Sequence, residues 1–135
     1  MSRRKITGKN PNHECVVGWD TGMSTFFGMV TDAELEQRAS AAGDRVAEAL
    51  GAGRTPDPDD ERLSNVETIL LWVGASRVGE IQTVEELAGL MEPFATVEAD
   101  VLEALRADRA TAGEPSASQR AGQEFIRAHG TREGV

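Results

Sequence analysis

His13 and Cys15 are the residues whose types and spacing come closest to chemistry in this sequence. Two positions apart on an extended segment, they project from one face, where an imidazole and a thiolate can chelate a soft metal or act as a base and nucleophile. Zinc takes four protein ligands, or three and a water, yet the chain offers no second cysteine and only one other histidine, His129. A nucleophilic thiol needs a cleft, whereas Cys15 alternates with Val17 and Trp19, a pattern that turns it into packed interior and leaves it unreactive. Asp57-Pro58-Asp59-Asp60-Glu61 begins like a calcium loop, but Arg62 stands where the turn requires glycine and Thr68 where a bidentate glutamate is required. There is no glycine-rich phosphate loop before a helix, no G-x-S-x-G and no H-E-x-x-H. The reading is therefore a protein without metal or cofactor, and not an enzyme.

A second constellation is Gly18-Trp19-Asp20 beside Thr25-Phe26-Phe27, a polar loop flanked by large aromatics. Trp19, Asp20, Phe26 and Phe27 have the composition of a protein-binding patch, apolar anchors with a polar rim. The competing reading is that they are core, which is the stronger one in a chain with two tryptophans, four phenylalanines and no tyrosine.

The element that positions all of these is a hairpin over residues 13 to 32. Cys15, Val17 and Trp19 alternate with Glu14, Gly18 and Asp20 on one arm, Thr25 to Val30 form the other, and Gly22 lies in the loop, where it can take positive φ without strain. An even-numbered loop sets Trp19 opposite Phe26, with Cys15, Val17 and Val30 on the same face; an odd one brings Phe27 and Met29 there instead. Because adjacent Phe26 and Phe27 point opposite ways, both faces of the hairpin carry apolar side chains in either register. A lone hairpin is marginal in water, so other elements must cover it.

Thr31-Asp32 offers an N-cap, and Leu35, Ala39, Ala42, Val46 and Leu50 then recur at helical spacing, an alanine-rich helix that should lean on the sheet. Arg54 to Ser64 reads as a proline-rich acidic linker. Thr68 to Val73 is short, β-rich and apolar, and its length argues for a third strand with Trp72 beside Trp19. Truncating Trp72 to alanine would then cost on the order of 3–5 kcal/mol. Thr83-Val84-Glu85-Glu86 and Ser116-Ala117-Ser118-Gln119 are capping boxes. The first opens a helix with Val84, Leu87, Leu90 and Met91 on one side; the second opens one with Ala121, Phe125 and Ala128. Between them, after Pro93, a further helix carries Val97, Val101, Leu102 and Leu105.

The chain of 135 residues has net charge −9, and the signs are segregated. Residues 1–12 hold Arg3, Arg4, Lys5 and Lys9 and no acid, while the other 123 residues hold ten bases against 23 acids, a balance of −13. An acidic body disfavours nucleic acid and anionic membrane. The basic stretch could contact phosphates, though a solvated tail is the commoner outcome. A single cysteine excludes an internal disulfide, the segment after Met1 lacks the apolar core of a signal peptide, and Ile69 to Val73 is too short to span a bilayer. A cytoplasmic location is expected.

The pairing of Val17-Gly18-Trp19-Asp20 with Thr25-Phe26-Phe27, together with Leu71-Trp72-Val73-Gly74 and Glu80-Ile81 before the Thr-Val-Glu-Glu-Leu helix, resembles short uncharacterised bacterial proteins built on a GWD…TFF hairpin. The resemblance covers about half the chain and implies no activity, and the segment 33 to 53 would be an insertion within it. The sequence thus predicts an α+β domain over 13–110. It has a three-stranded antiparallel sheet, a long alanine-rich helix between the second and third strands, and two to three helices after the sheet. Residues 1–12 are expected as a flexible basic arm and 111–135 as a loosely attached helix and tail. The function expected is a small interaction or regulatory protein whose partner is another protein, with a sheet edge available for a homodimer. The two rivals are a nucleic-acid binder using Arg3, Arg4, Lys5 and Lys9, and an acidic mimic of nucleic acid that occupies a basic protein.

Overall fold

Alternation in residues 13 to 32 becomes a hairpin of two eight-residue strands, and this hairpin is the middle of a four-stranded sheet. The computed structural model describes residues 2–129. Strands β1 (Arg4–Thr7), β2 (His13–Asp20), β3 (Thr25–Asp32) and β4 (Ile69–Val73) are antiparallel neighbours in that order. Between β3 and β4 come α1 (Ala33–Gly51) and α2 (Pro58–Ser64); after β4 come α3 (Val84–Met91), α4 (Ala99–Ala112) and α5 (Ala117–His129). The broad α+β class fits, but the three-stranded sheet is corrected to four strands by β1.

That strand lies in the segment expected to be a solvated basic arm. Arg4-Lys5-Ile6-Thr7 has no apolar periodicity of its own, but an edge strand needs little: Ile6 sits opposite Cys15 and packs on the core, and backbone pairing supplies the rest. Its charges, and that of Lys9 just beyond it, find acids on other parts of the fold. The Arg4 guanidinium donates twice to the Asp108 carboxylate of α4, each bond 2.8 Å, and Lys9 Nζ lies 3.2 Å from Glu92 and Lys5 Nζ 3.6 Å from Glu14. Sequence periodicity carries no trace of such pairings.

Asp20 pairs with Thr25 across a four-residue loop, so the register is the even one, with Trp19 opposite Phe26, Val17 opposite Gly28 and Cys15 opposite Val30. In the loop the left-handed residue is Ser24 (φ 51°), not Gly22, and Asp20 Oδ1 accepts from the Met23 amide. The inner face, Cys15, Val17, Trp19, Phe26 and Val30, forms one core with Ile81, Val84, Leu87, Met91, Ala95, Val97 and Leu105. Gly28 allows α3 to come this close: a Cβ there would stand 2.6 Å from Met91 Sδ. Helix α3 begins at Thr83, whose Oγ1 accepts from the Glu86 amide at 3.1 Å. The Ser116–Gln119 box closes both ways, at 2.8 and 3.1 Å.

The insertion touches the sheet, but it leans more on a helix of its own. Asp32 caps α1 by accepting from the Leu35 amide, but the helix buries only Ala42 and Ala49, and it packs mainly against α2. The segment read as a linker is that second helix, with Asp57 as N-cap, Pro58 in the first turn and Asp59, Asp60 and Glu61 following, a start signal in order. Arg45 of α1 reaches Asp60 of α2 at 2.9 Å. Similarly, α5 is seated by a polar residue and not by the stripe of Ala121, Phe125 and Ala128. Gln123 is buried and its Nε2 donates to Gly22 O and Ser24 Oγ, while Phe125 is 64% exposed. The last five residues, expected to be mobile, lie outside the described ones. Among the described residues no helix is long and apolar enough to cross a membrane.

Strand β4 is present where length argued for it, but Trp72 pairs with Met29 on the face opposite Trp19 and is 48% exposed. The shared tryptophan cluster is therefore corrected: odd-numbered Leu71 and Val73 face the helices, and Trp72 alternates away from them. Phe26→Ala should cost about 3–5 kcal/mol in a denaturant melt, whereas Trp72→Ala should cost under about 1 kcal/mol, the usual range for a substitution outside the core. A second expectation concerns acid. The Arg4 guanidinium holds the Asp108 carboxyl below its ordinary range, against the upward push of partial burial. A carboxylate lowered in the folded state contributes stability that is complete above its unfolded pKa and is lost as pH falls through the folded one. The stability gap between the wild type and Asp108→Asn should thus be widest near neutral pH and close as the pH drops below the carboxylate range, as followed by urea melts across pH.

Candidate interaction surface

Because β2 and β3 alternate with period two, the residues between the core positions, Val16, Gly18, Phe27 and Met29, share the outer face. There Met29 meets Trp72 of β4, and a bulge between Val30 and Thr31 leaves Ile69 and Leu70 beside it. A groove of about 130 Å³ runs across this face, lined by Phe27, Met29 and Trp72, by Gly74 and Ala75 at the turn after β4, and by Arg3 and Asp20 at its rim. Leu70 is 43% exposed and Ile69 37%. Gly74 makes the turn in a left-handed conformation (φ 79°), its amide donating to Glu80 Oε2 at 2.8 Å while Ser76 donates to Oε1 at 3.0 Å. The Glu80 carboxylate so fixes the end of β4 and the wall of the groove.

Two other clefts are more polar. One of about 410 Å³ lies between α4, the segment before α5 and the hairpin loop, lined by Trp19, Ser24, Arg106, Arg109, Glu114 and Pro115 among others. The Arg109 guanidinium stacks 4.8 Å from the centroid of Trp19 and 5.8 Å from that of Phe26, with Nη1 donating to Gln82 O at 2.7 Å. Arg106 is ion-paired with Glu85 and Glu103. Glu85 is held below the ordinary glutamate range by a hydrogen bond from its own backbone amide and then by Arg106. These arginines are thus engaged by neighbouring acceptors and rings, and they brace the aromatic end of the core. The other cleft, about 590 Å³, separates α1 from α2, and its Arg45 and Asp60 are paired with each other.

The four residues read as one binding patch do not form one. Trp19 and Phe26 are 5% and 2% exposed in the inner core, ring edge to face at 4.8 Å, and Asp20 and Phe27 are 9% and 8% exposed on the outer side. The register divides them, so only Phe27 and Asp20 reach the groove. The basic residues also separate: Arg4, Lys5 and Lys9 face acids of the same chain, and Arg3 stands at the groove rim. Sequence reasoning missed Met29, Leu70 and Trp72 as surface residues. The signal was present in Ile69-Leu70-Leu71-Trp72-Val73, a strand apolar at every position, which must expose half of itself if only one face is covered.

His13 and Cys15 lie two apart on the inner face of β2, both next to Gly8. Pairing sets Cys15 opposite Ile6 and Val30 in the core, while His13 lies beside Phe94 at the far end of β2, ring centroids 6.1 Å apart. Among the described residues no group of three or more His, Cys, Asp or Glu side chains could hold a metal ion. No protein-family model, curated protein or solved structure matches the chain.

Cys15 is 1% exposed, and burial pushes its thiol pKa up, with the Glu14 carboxylate adding to the rise. A thiol reagent should label the native protein far more slowly than the urea-unfolded chain, and equal rates would show that Cys15 is not enclosed.

Proposed function

We propose that the protein is a cytoplasmic interaction module without catalytic activity, which docks another protein on the outer face of its sheet. The observation that carries this reading is Trp72, a tryptophan 48% exposed beside Phe27, Met29 and Leu70, with Arg3 and Asp20 at the rim. A large half-exposed aromatic over an apolar floor, edged by charge, is how protein interfaces are anchored. The groove offers contact area and shape, and its apolar lining suits a side chain of a partner better than a reacting group. The engagement of Arg4, Lys5 and Lys9 by Asp108, Glu14 and Glu92 weighs against the nucleic-acid rival, because phosphates would have to displace those carboxylates.

Immobilised wild-type protein is expected to retain a partner from native lysate of its source, and Trp72→Lys and Met29→Lys to lose it. Leu50→Lys, which charges an apolar residue 62% exposed on α1, is the control expected to retain it. An identical captured set for wild type and Trp72→Lys would remove the outer face from the proposal.

A further inference from the structure

The two edges of the sheet are built differently. Strand β1 carries Arg4 and Lys5, with Lys9 just beyond, the charged composition that keeps an open edge from pairing. Strand β4, the other edge, is Ile-Leu-Leu-Trp-Val, without a charge or a proline. Among the described residues no further strand pairs with its open side. The amides of Phe26 and Asp32 donate in the direction of β4, to Ile81 O at 3.0 Å and Thr68 O at 2.8 Å, so the alternate residues Gly28 and Val30 also face β4 and bond Val73 and Leu71. Trp72, lying between those two, turns its N–H and C=O outward.

Both faces beside this edge are apolar. Leu70 and Trp72 stand half-exposed above; below, Leu71 and Val73 are only partly covered. An occupant that satisfies the edge must be an extended strand with apolar side chains on both faces. Two copies each carrying −9 repel, so self-contact has to avoid acids, and β4 contains none. At its ends the charges differ in sign: Glu67 precedes the strand, its Oε1 accepting from the Ile69 amide at 3.0 Å, and exposed Arg77 follows it, while Glu80 is turned inward onto Gly74 and Ser76. Antiparallel pairing of two β4 strands sets the acidic end of each beside the basic end of the other, and parallel pairing would set like beside like.

We propose, building on the outer-face reading above, that the partner is a second copy of the chain, with β4 pairing antiparallel to β4 across a two-fold axis to make one continuous sheet. The contact is isologous. Leu71 lies opposite its own counterpart and Leu70 opposite the Trp72 of the other copy, joining the two outer grooves across the axis. A stable dimer needs roughly 800 Å² per partner, which one short strand cannot supply alone; the apolar residues above and below the edge extend the contact.

Sedimentation equilibrium of the full chain should give a dimer, and Leu70→Lys should raise its dissociation constant by about tenfold or more, with an unchanged circular dichroism spectrum because residue 70 is on the surface. Leu71→Cys should form a covalent dimer on mild oxidation, whereas the wild type, its Cys15 enclosed, should not. A wild type that stays monomeric throughout the concentration range overturns the proposal, as does a dimer unaffected by Leu70→Lys or an absence of cross-linking in Leu71→Cys. A monomer that still captures a different protein through Trp72 would overturn self-pairing and leave the outer-face reading standing; a monomer whose captures ignore Trp72 would remove both.

Discussion

The pairing of Trp19 with Phe26 across the central hairpin is the contact on which the rest depends. It sets the register of β2 against β3, and with period-two alternation that register assigns every neighbouring side chain to one face or the other. Cys15, Val17 and Val30 go with the tryptophan into the core, Gly28 opens the space that Met91 of α3 fills, and Arg109 lies over the aromatic pair from α4. The same assignment sends Phe27 and Met29 outward. Shifting the register by one residue would exchange these sets and leave α3 and α4 facing the wrong side chains.

The outer face follows as a consequence. Helices α3 and α4 pack on one side of the sheet, whereas α1 packs mainly against α2 and buries only Ala42 and Ala49, so Trp72 and Leu70 on the outer side of β4 stay half-exposed. Continuous apolar character in β4 is ordinary for a strand covered on both faces, but here it sits at an edge. Exposure of Trp72 and Leu70 is a cost to an isolated molecule, and a partner is the physical means of removing it.

Charge is handled within the chain. The basic N-terminal stretch and the acidic body, segregated in sequence, are rejoined by folding through Arg4 with Asp108 and Lys9 with Glu92. Exposed pairs of this kind contribute little each, and what they do here is hold an edge strand with one inward apolar residue against the end of α4. The edge so formed is charged, and the edge at β4 is neutral; that asymmetry points association to one side of the sheet.

Local rules determined much of this by themselves. The hairpin, the alanine-rich helix, the strand at residues 69 to 73, the caps at Asp32, Thr83 and Ser116 and the enclosure of Cys15 are each legible, because each rests on alternation, helical spacing or a cap within a few residues. The start of α2 was equally local, written in Asp57-Pro58 followed by acids, and was obscured by its prolines. Other features rest on contacts between distant segments. β1 exists because Asp108 and Cys15 wait for Arg4 and Ile6; α5 is seated by Gln123 on the hairpin loop while Phe125 stays out. Nor could composition place Trp72, because alternation shows that Leu71 and Trp72 face opposite ways and only the position of α3 and α4 decides which of them is covered.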